Sequence, residues 1–210
     1  MMRSEKMSVL CVLFVGALVV AGSGCGTVRP AAVSDEVLAT ADVKMAHDFN
    51  GKLSWELEDW GDPAEVATVP SAVKDAKPTD KVMAVSMKMG EKGKCVVSLD
   101  LKRPRNLSKY NAIVVDIASA LEADCLVGLG LMVGEAGTFT ETPSAVVRPG
   151  ANRNIVFRLD QTYFKSEASG WKHTEPAGGL SGVSKVVLLI TPKAAGSVRI
   201  DNLRLAVFPE

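Results

Sequence analysis

The sequence is poor in aromatic residues, in histidine and in net charge, and each shortage narrows what the protein can do. Aromatic residues make up 5% of the 210 positions, and the two histidines are His47 and His173. Neither lies in a metal-binding spacing such as HExxH, and no nucleophile elbow is present, so we do not expect an enzyme. The 24 basic and 24 acidic residues balance, without a basic stripe interleaved with aromatics, which argues against a nucleic-acid partner.

The apolar run at residues 9–21 is short for a membrane span, which needs about 20 residues. Arg3 and Lys6 precede the run and small residues follow it at positions 22–24, an arrangement typical of a signal peptide. An uncleaved N-terminal anchor is the alternative. We expect residues 1–24 to be a signal peptide and the protein to be exported.

A cysteine follows these small residues directly. The sequence GSGC at positions 22–25 resembles a bacterial lipobox, with Gly22 where leucine is usual. The resemblance implies that Cys25 is lipidated and anchors the protein in the cell envelope, at the outer membrane, whereas plain secretion is the alternative. Residues 25–41 would then be the lipidated N-terminus and a flexible tether, because positions 26–36 are small, polar and proline-containing.

Two cysteines remain for the folded part, Cys95 and Cys125. Each opens a segment of alternating hydrophobicity and falls on its apolar face. An oxidising compartment favours a disulfide between them, but free cysteine also packs well in cores. The sequence leaves both interpretations open.

From Met83 onward the hydrophobic residues alternate with a period of two, which predicts half-buried β-strands. Pro143 indicates that the segment 138–147 is an edge strand. The segment 186–190 is apolar on both faces, which indicates a central strand. The segments 83–89 and 95–101 predict a hairpin. The segments are 83–89, 95–101, 113–117, 125–133, 138–147, 155–159, 186–190 and the chain from 198 onward.

The last strand changes parity, because Val198 and Ile200 are even-numbered whereas Leu203 and Leu205 are odd-numbered. One extra residue near Asp201 would restore the core face, which predicts a β-bulge. About eight strands without intervening helices predict an all-β antiparallel sandwich over residues 42–210. The only helical signal is a turn or two within 34–46, and the long connection 161–184 is of a kind that is often functional.

Three segments resemble the carbohydrate-binding-module-like jelly rolls of the galactose-binding-like superfamily. They are NLSKYNAIVVD at 106–116, RPGANRNIVFRL at 148–159 and GSVRIDNLRL at 196–205, with HDFN at 47–50 matching the opening strand. The resemblance implies a jelly-roll fold. It also implies a structural Ca²⁺ between the first and last strands, with Asp48 and Asp201 as ligands, although Asn50 stands where an acid is usual. The alternative is a bulge with two solvated polar residues.

Sugar-binding sandwiches use exposed aromatic rings, which stack on the apolar face of a pyranose while polar side chains bond its hydroxyls. Trp60 and Trp171 lie beside glycine and polar residues where strand alternation has lapsed. With Tyr163 and the neighbouring Asp62, they are the candidate carbohydrate-binding residues. For each ring the alternative is a place in the core, since aromatic side chains bury large areas.

Together these features predict a non-catalytic envelope lipoprotein whose jelly-roll domain binds a glycan. The acidic pair Glu56 and Glu58 could do glycosidase chemistry, but on an alternating strand we expect it to form a solvated face. The rival hypothesis is a structural or assembly protein that uses the sandwich to hold another envelope protein. Aromatic rings exposed together favour glycan binding, whereas buried rings with an apolar patch elsewhere favour the rival.

Overall fold

The computed structural model describes residues 29–51, 54–71 and 79–209, which form two antiparallel sheets packed face to face. The predicted signal peptide, the lipobox cysteine Cys25 and the first residues of the predicted tether lie outside the described residues. No helix among the described residues is long and apolar enough to cross a membrane.

Thirteen strands form within the described part of the chain, and the predicted segment 138–147 is divided into two of them. In chain order they are β1 (Ala31–Ala32), β2 (Asp42–His47), β3 (Trp55–Leu57), β4 (Ala64–Pro70), β5 (Lys81–Met87), β6 (Cys95–Arg105), β7 (Ala112–Ser119), β8 (Cys125–Val133), β9 (Thr138–Glu141), β10 (Ala145–Val147), β11 (Gly150–Arg158), β12 (Val183–Thr191) and β13 (Gly196–Val207). Two helical turns accompany them, α1 (Asp35–Leu38) and a 3₁₀ turn (Leu180–Gly182).

The strands divide into a seven-stranded and a six-stranded sheet. The first has the order β1-β11-β7-β13-β5-β4, with β2 also paired to β13, and the second has the order β10-β8-β12-β6-β3, with β9 also paired to β8. The central position predicted for 186–190 is confirmed, since β12 lies between β8 and β6. The edge position predicted for 138–147 is confirmed as well.

The core fills the space between the sheets with the inward residues of each alternating strand. Ile113 and Ile117 on β7 face this core with Leu129 on β8 and Leu188 on β12, and all four are buried. Burial of a side chain of this size stabilises the fold by roughly 1.5–3 kcal/mol. The period of two therefore gives the sandwich its interior.

The predicted hairpin of residues 83–101 is wrong, because β5 and β6 belong to different sheets. β5 pairs with β4 and β13, whereas β6 pairs with β3 and β12. The turn at 88–94 therefore carries the chain from one sheet to the other. Alternation specifies which face of a strand is buried, and both strands bury the correct face, but it does not specify the neighbouring strand.

The predicted bulge in the last strand is confirmed. The register of β13 against β7 shifts between Asp201 and Arg204, and Asn202 takes a left-handed conformation with φ of 50°. A second bulge lies on the other side of β7, where Asn154 of β11 has φ of 54°. Asparagine tolerates this conformation better than most residues, which explains its presence at both sites.

Of the two interpretations left open for Cys95 and Cys125, the structure agrees with separate buried thiols, because both cysteines are buried and free. β12 separates their strands, with Ile190 opposite Cys95 on one side and opposite Val127 on the other. Two strand spacings amount to about 9–10 Å, which exceeds the roughly 7 Å that a disulfide can bridge between Cα atoms.

The tether prediction fails for residues 31–41, which lie against the sandwich. β1 pairs with β11, and the Ser34 hydroxyl caps α1 by accepting a hydrogen bond from the Val37 amide at 3.3 Å. Val33 and Leu38 pack on a small apolar cluster outside the seven-stranded sheet that includes Phe208. The helical turn predicted within 34–46 is confirmed as α1, and the folded domain begins before residue 42.

Candidate functional site

The candidate site is a groove of about 580 Å³ on the outer face of the six-stranded sheet. Its floor is apolar and includes Val187 of β12, and its sides are aromatic and charged. We call it the sheet groove.

Three aromatic rings form a continuous line along the sheet groove. The ring centroids of Trp60 and Phe139 are 5.8 Å apart, and those of Phe139 and Trp171 are 6.3 Å apart. Trp60 is 37% exposed and Trp171 is 53% exposed. The structure thus brings together the two tryptophans that the sequence singled out, 111 positions apart, and leaves both accessible to a ligand.

Trp60 is held at one end of the line by the turn that follows β3. Its indole N–H donates a hydrogen bond to Glu58 Oε2 at 3.2 Å. The turn lies so close to β6 that a Cβ on Gly61 would come within 2.8 Å of the Val96 nitrogen. The glycine beside Trp60 thus allows the turn to sit on the sheet.

Trp171 is presented by the long connection between β11 and β12. The ring of Phe164 is fully buried and anchors the connection. The backbone of Phe164 pairs with that of Glu175 within the same connection. Trp171 itself has φ of 62°, and its amide donates a hydrogen bond to the Ser166 carbonyl at 2.9 Å. The connection is therefore an ordered support for an exposed ring.

Phe139 lies between the two tryptophans, and sequence reasoning missed it. It belongs to the edge strand β9, which pairs with β8 so that Phe139 lies next to Met132. A Cβ on Gly130 of β8 would come within 2.6 Å of the Phe139 ring. A glycine within an otherwise apolar strand signals such a close approach, so Gly130 was the available clue.

Ion pairs fix the charged sides of the sheet groove. Lys185 Nζ lies 2.7 Å from Glu58 Oε1 and 3.3 Å from Asp100 Oδ1, and Ser98 also donates to Glu58 at 2.5 Å. Hydrogen bonds from Lys185 and Ser98 lower the pKa of Glu58, which is therefore ionised at neutral pH.

A second ion pair joins the edge strand to the long connection. Lys165 Nζ lies 3.0 Å from Glu141 Oε1, and the backbones of the two residues also pair. This contact links the support of Trp171 to the strand that carries Phe139. Such an array of fixed donors and acceptors beside flat rings suits a ligand with a ring and many hydroxyls.

Tyr163 and Asp62 do not lie in the sheet groove. Tyr163 is 4% exposed and stacks on Phe164 with a centroid distance of 5.3 Å. Asp62 is 7% exposed, and its carboxylate accepts hydrogen bonds from the amides of Lys92 and Lys94. Both side chains are committed inside the domain, as core anchor and turn cap.

Asp48 and Asp201 lie near enough to influence each other electrostatically. Burial raises the pKa of Asp201 to about 6, and the charges of Asp116, Asp48 and Asp80 add to the rise. Among the described residues, no group of three or more His, Cys, Asp or Glu side chains is arranged to hold a metal ion. Calcium binds six to eight oxygens, so most would have to come from backbone carbonyls or water.

Neither a protein-family model nor a curated protein sequence matches the chain, but solved structures do. It resembles the family 11 carbohydrate-binding module from Clostridium thermocellum, solved with a β-1,3-1,4-mixed-linked tetrasaccharide, at 20% identity and a TM-score of 0.58. The match covers 80% of this chain and 97% of that module. The fold is a jelly-roll β-sandwich.

Two other solved structures extend the likeness. The family 11 module of a cellulosomal cellulase from the same organism matches at 19% identity and a TM-score of 0.56, covering 80% of this chain and 95% of the module. An exo-β-agarase matches at 15% identity and a TM-score of 0.61, covering 79% of this chain but 25% of the agarase. The jelly-roll fold expected from the sequence resemblance is confirmed.

Proposed function

We propose that the protein is a non-catalytic glycan-binding lipoprotein of the cell envelope. The observation that carries the proposal is the line of Trp60, Phe139 and Trp171 along the sheet groove. The line spans about two ring-to-ring steps, with centroid distances of 5.8 and 6.3 Å, and its two ends are exposed. This length suits two or three consecutive sugar units of a chain.

The surroundings of the rings support a sugar in preference to a protein partner. Fixed polar groups flank the line, and the carboxylates of Glu58 and Glu141 are each held by a lysine. A docking surface for another protein would rather be a broad apolar patch. The fold that this chain shares with modules solved as carbohydrate-binding domains agrees with the proposal, as does the tetrasaccharide in one of them.

Calorimetric titration of polysaccharide fragments into the wild type, Trp60→Ala and Trp171→Ala tests the proposal. Truncation of an aromatic contact at an interface costs roughly 1–2 kcal/mol, so each variant should bind several-fold more weakly. The melting temperature should hardly change, because both rings are exposed. Met45→Ala is a matched control, since Met45 is 48% exposed but lies on β2 of the other sheet.

Two results would contradict glycan binding through these rings, and a third would contradict the non-catalytic part of the proposal. One is the absence of binding to any polysaccharide at millimolar concentration, after which the assembly hypothesis would take precedence. The other is a large loss of stability in either tryptophan variant, which would mark that ring as a core residue. Release of reducing sugar from a bound glycan would overturn the non-catalytic part.

Lipidation at Cys25 is the second part of the proposal and rests on the GSGC sequence alone. Intact-mass analysis of the membrane fraction should detect diacylglycerol on Cys25. A soluble product that is cleaved elsewhere, and is unaffected by Cys25→Ala, would contradict it.

A further inference from the structure

Among the described residues that line the sheet groove, Lys94 is the lysine without an acidic partner. Lys165 and Lys185 are ion-paired to Glu141 and Glu58, as described above. No acidic side chain of the described residues lies within ion-pairing distance of Lys94. Its ammonium instead lies over the Trp60 ring, 4.9 Å from the centroid.

The backbone holds Lys94 in this place. The buried Asp62 carboxylate accepts hydrogen bonds from the amides of Lys92 at 2.9 Å and Lys94 at 3.2 Å, and the Asp62 amide donates to the Lys94 carbonyl at 2.6 Å. A Cβ on Gly90 would come within 2.2 Å of the same carboxylate. The turn that carries Lys94 is therefore fixed against the sheet before any ligand binds.

The charged side chains that line the groove give it a net positive charge. Lys94, Lys165 and Lys185 face Glu58 and Glu141, so the lining carries one excess positive charge. The nearby Asp100 is 70% exposed and is attached to Lys185, so water screens it strongly. The excess charge lies at Lys94, directly on the aromatic line.

We infer that the groove selects glycans that carry an acidic group, a carboxylate or a sulfate ester, and that Lys94 determines this selectivity. The inference rests on the proposed glycan-binding function. A sugar that stacks along the aromatic line presents its ring substituents at the edge of the ring, within reach of the flexible Lys94 side chain. A negative substituent there would form the ion pair that Lys94 lacks, and a neutral hydroxyl would not.

Matched ligand pairs test the inference by calorimetry. Trigalacturonate is compared with its methyl ester for the carboxylate, and sulfated carrageenan oligosaccharides with the same oligosaccharides after desulfation for the sulfate. We expect the acidic member of at least one pair to bind about fivefold more tightly, as a partly exposed ion pair allows. The advantage should shrink as salt is raised.

Lys94→Met keeps the aliphatic stem on Trp60 and removes the charge, so it should abolish the acidic advantage. Lys109→Met is the matched control, because the Lys109 ammonium also lies over an aromatic ring, 5.1 Å from the Tyr110 centroid, outside the groove. This control should leave the advantage unchanged.

The outcomes separate the inference from the function beneath it. If the neutral and acidic members bind equally, the inference is overturned and the glycan-binding function stands. An acidic advantage that survives in Lys94→Met, or an equal loss of both ligands in that variant, also overturns the role of Lys94. Binding of neither member of either pair would count against both.

Discussion

Asp116 joins the two bulges of the seven-stranded sheet. Its Oδ1 accepts hydrogen bonds from the Asn154 amide at 2.8 Å and from the Arg204 guanidinium at 2.6 Å, and its Oδ2 accepts one from the Asn202 side chain at 2.9 Å. One carboxylate on β7 therefore satisfies donors from both neighbouring strands. The left-handed asparagines keep their conformation because this acceptor lies between them.

Asp116→Ala should lower the free energy of unfolding by about 2–3 kcal/mol, because it strands a half-buried arginine and a backbone donor. Urea denaturation measures the loss. Asp160→Ala is the matched control, since Asp160 pairs with Arg158 at a more exposed position and should cost less than about 1 kcal/mol. Equal losses in the two variants would contradict the role given to Asp116.

Asp201 makes the fold less stable when it is ionised. Its pKa is raised to about 6 in the folded protein from an ordinary value near 3.8. The folded state therefore binds this proton more tightly than the unfolded state, and the free energy of unfolding falls as pH rises between these two values. In the presence of chelator, Asp201→Asn should raise the melting temperature at pH 7.5 but not at pH 3.5. A stabilisation that is independent of pH would contradict this assignment.

Calcium at Asp48 and Asp201 remains a prediction, and the same carboxylate allows it to be tested. A bound cation would offset the repulsion that Asp201 feels from its acidic neighbours and would stabilise the folded state by mass action. Excess Ca²⁺ should then raise the melting temperature of the wild type above its value in chelator, with a smaller effect on Asp201→Asn. Equal melting temperatures of the wild type in both conditions would exclude the site.

At the scale of elements, β8 shapes the sheet groove through glycines, which carry no side chain. Gly128 and Gly130 leave the outer side of this strand bare, and the Phe139 ring of β9 lies over Gly130. The aromatic line thus lies close to the sheet, with Trp60 and Trp171 at its ends.

Gly130→Ala should displace the Phe139 ring, because the new methyl group would lie 2.6 Å from it. Overpacking of this kind costs about 1–3 kcal/mol, and glycan affinity should fall with it. Gly128→Ala is the matched control on the same strand and face, where the nearest atom is the Ser144 hydroxyl at 3.3 Å. Unchanged affinity in Gly130→Ala would show that the position of Phe139 does not matter for binding.

The elements also show where sequence reasoning succeeds and where it stops. The parity change located the bulge at Asp201, because side-chain alternation is a local property of the strand. The second bulge at Asn154 was missed, since it lies before the first core residue of its segment, Ile155. The wrong hairpin has a similar cause, because strand pairing depends on distant segments.

The site was predictable to the extent that its residues had no core face to fill. Trp60 and Trp171 stood beside glycines and polar residues, and both are exposed. Tyr163 stood in a long loop, but that loop needs a buried anchor to hold Trp171. Lys94 gave no local signal, because its lack of an acidic partner among the described residues depends on side chains from distant segments of the chain.

At the scale of the whole molecule, the two buried cysteines are free, so core packing holds their strands together without a disulfide. Burial raises the pKa of the Cys95 thiol to about 11 and also raises that of Cys125. Protein purified without residues 1–28 should therefore react slowly with a thiol reagent when folded and should give two thiols per chain in unreduced denaturant. If no thiol reacts in denaturant, the two cysteines are joined in a disulfide and this expectation is wrong.

The packing of residues 31–41 against the sandwich has a consequence for where the protein can act. If Cys25 carries lipid, five residues lie between the anchor and Ala31 of β1, and the six Cα–Cα steps of a fully extended chain reach only about 20 Å. That distance is shorter than the width of about 40 Å expected for a compact domain of this size. The sandwich would then stay close to the membrane surface. It would contact only those glycan chains that reach the bilayer.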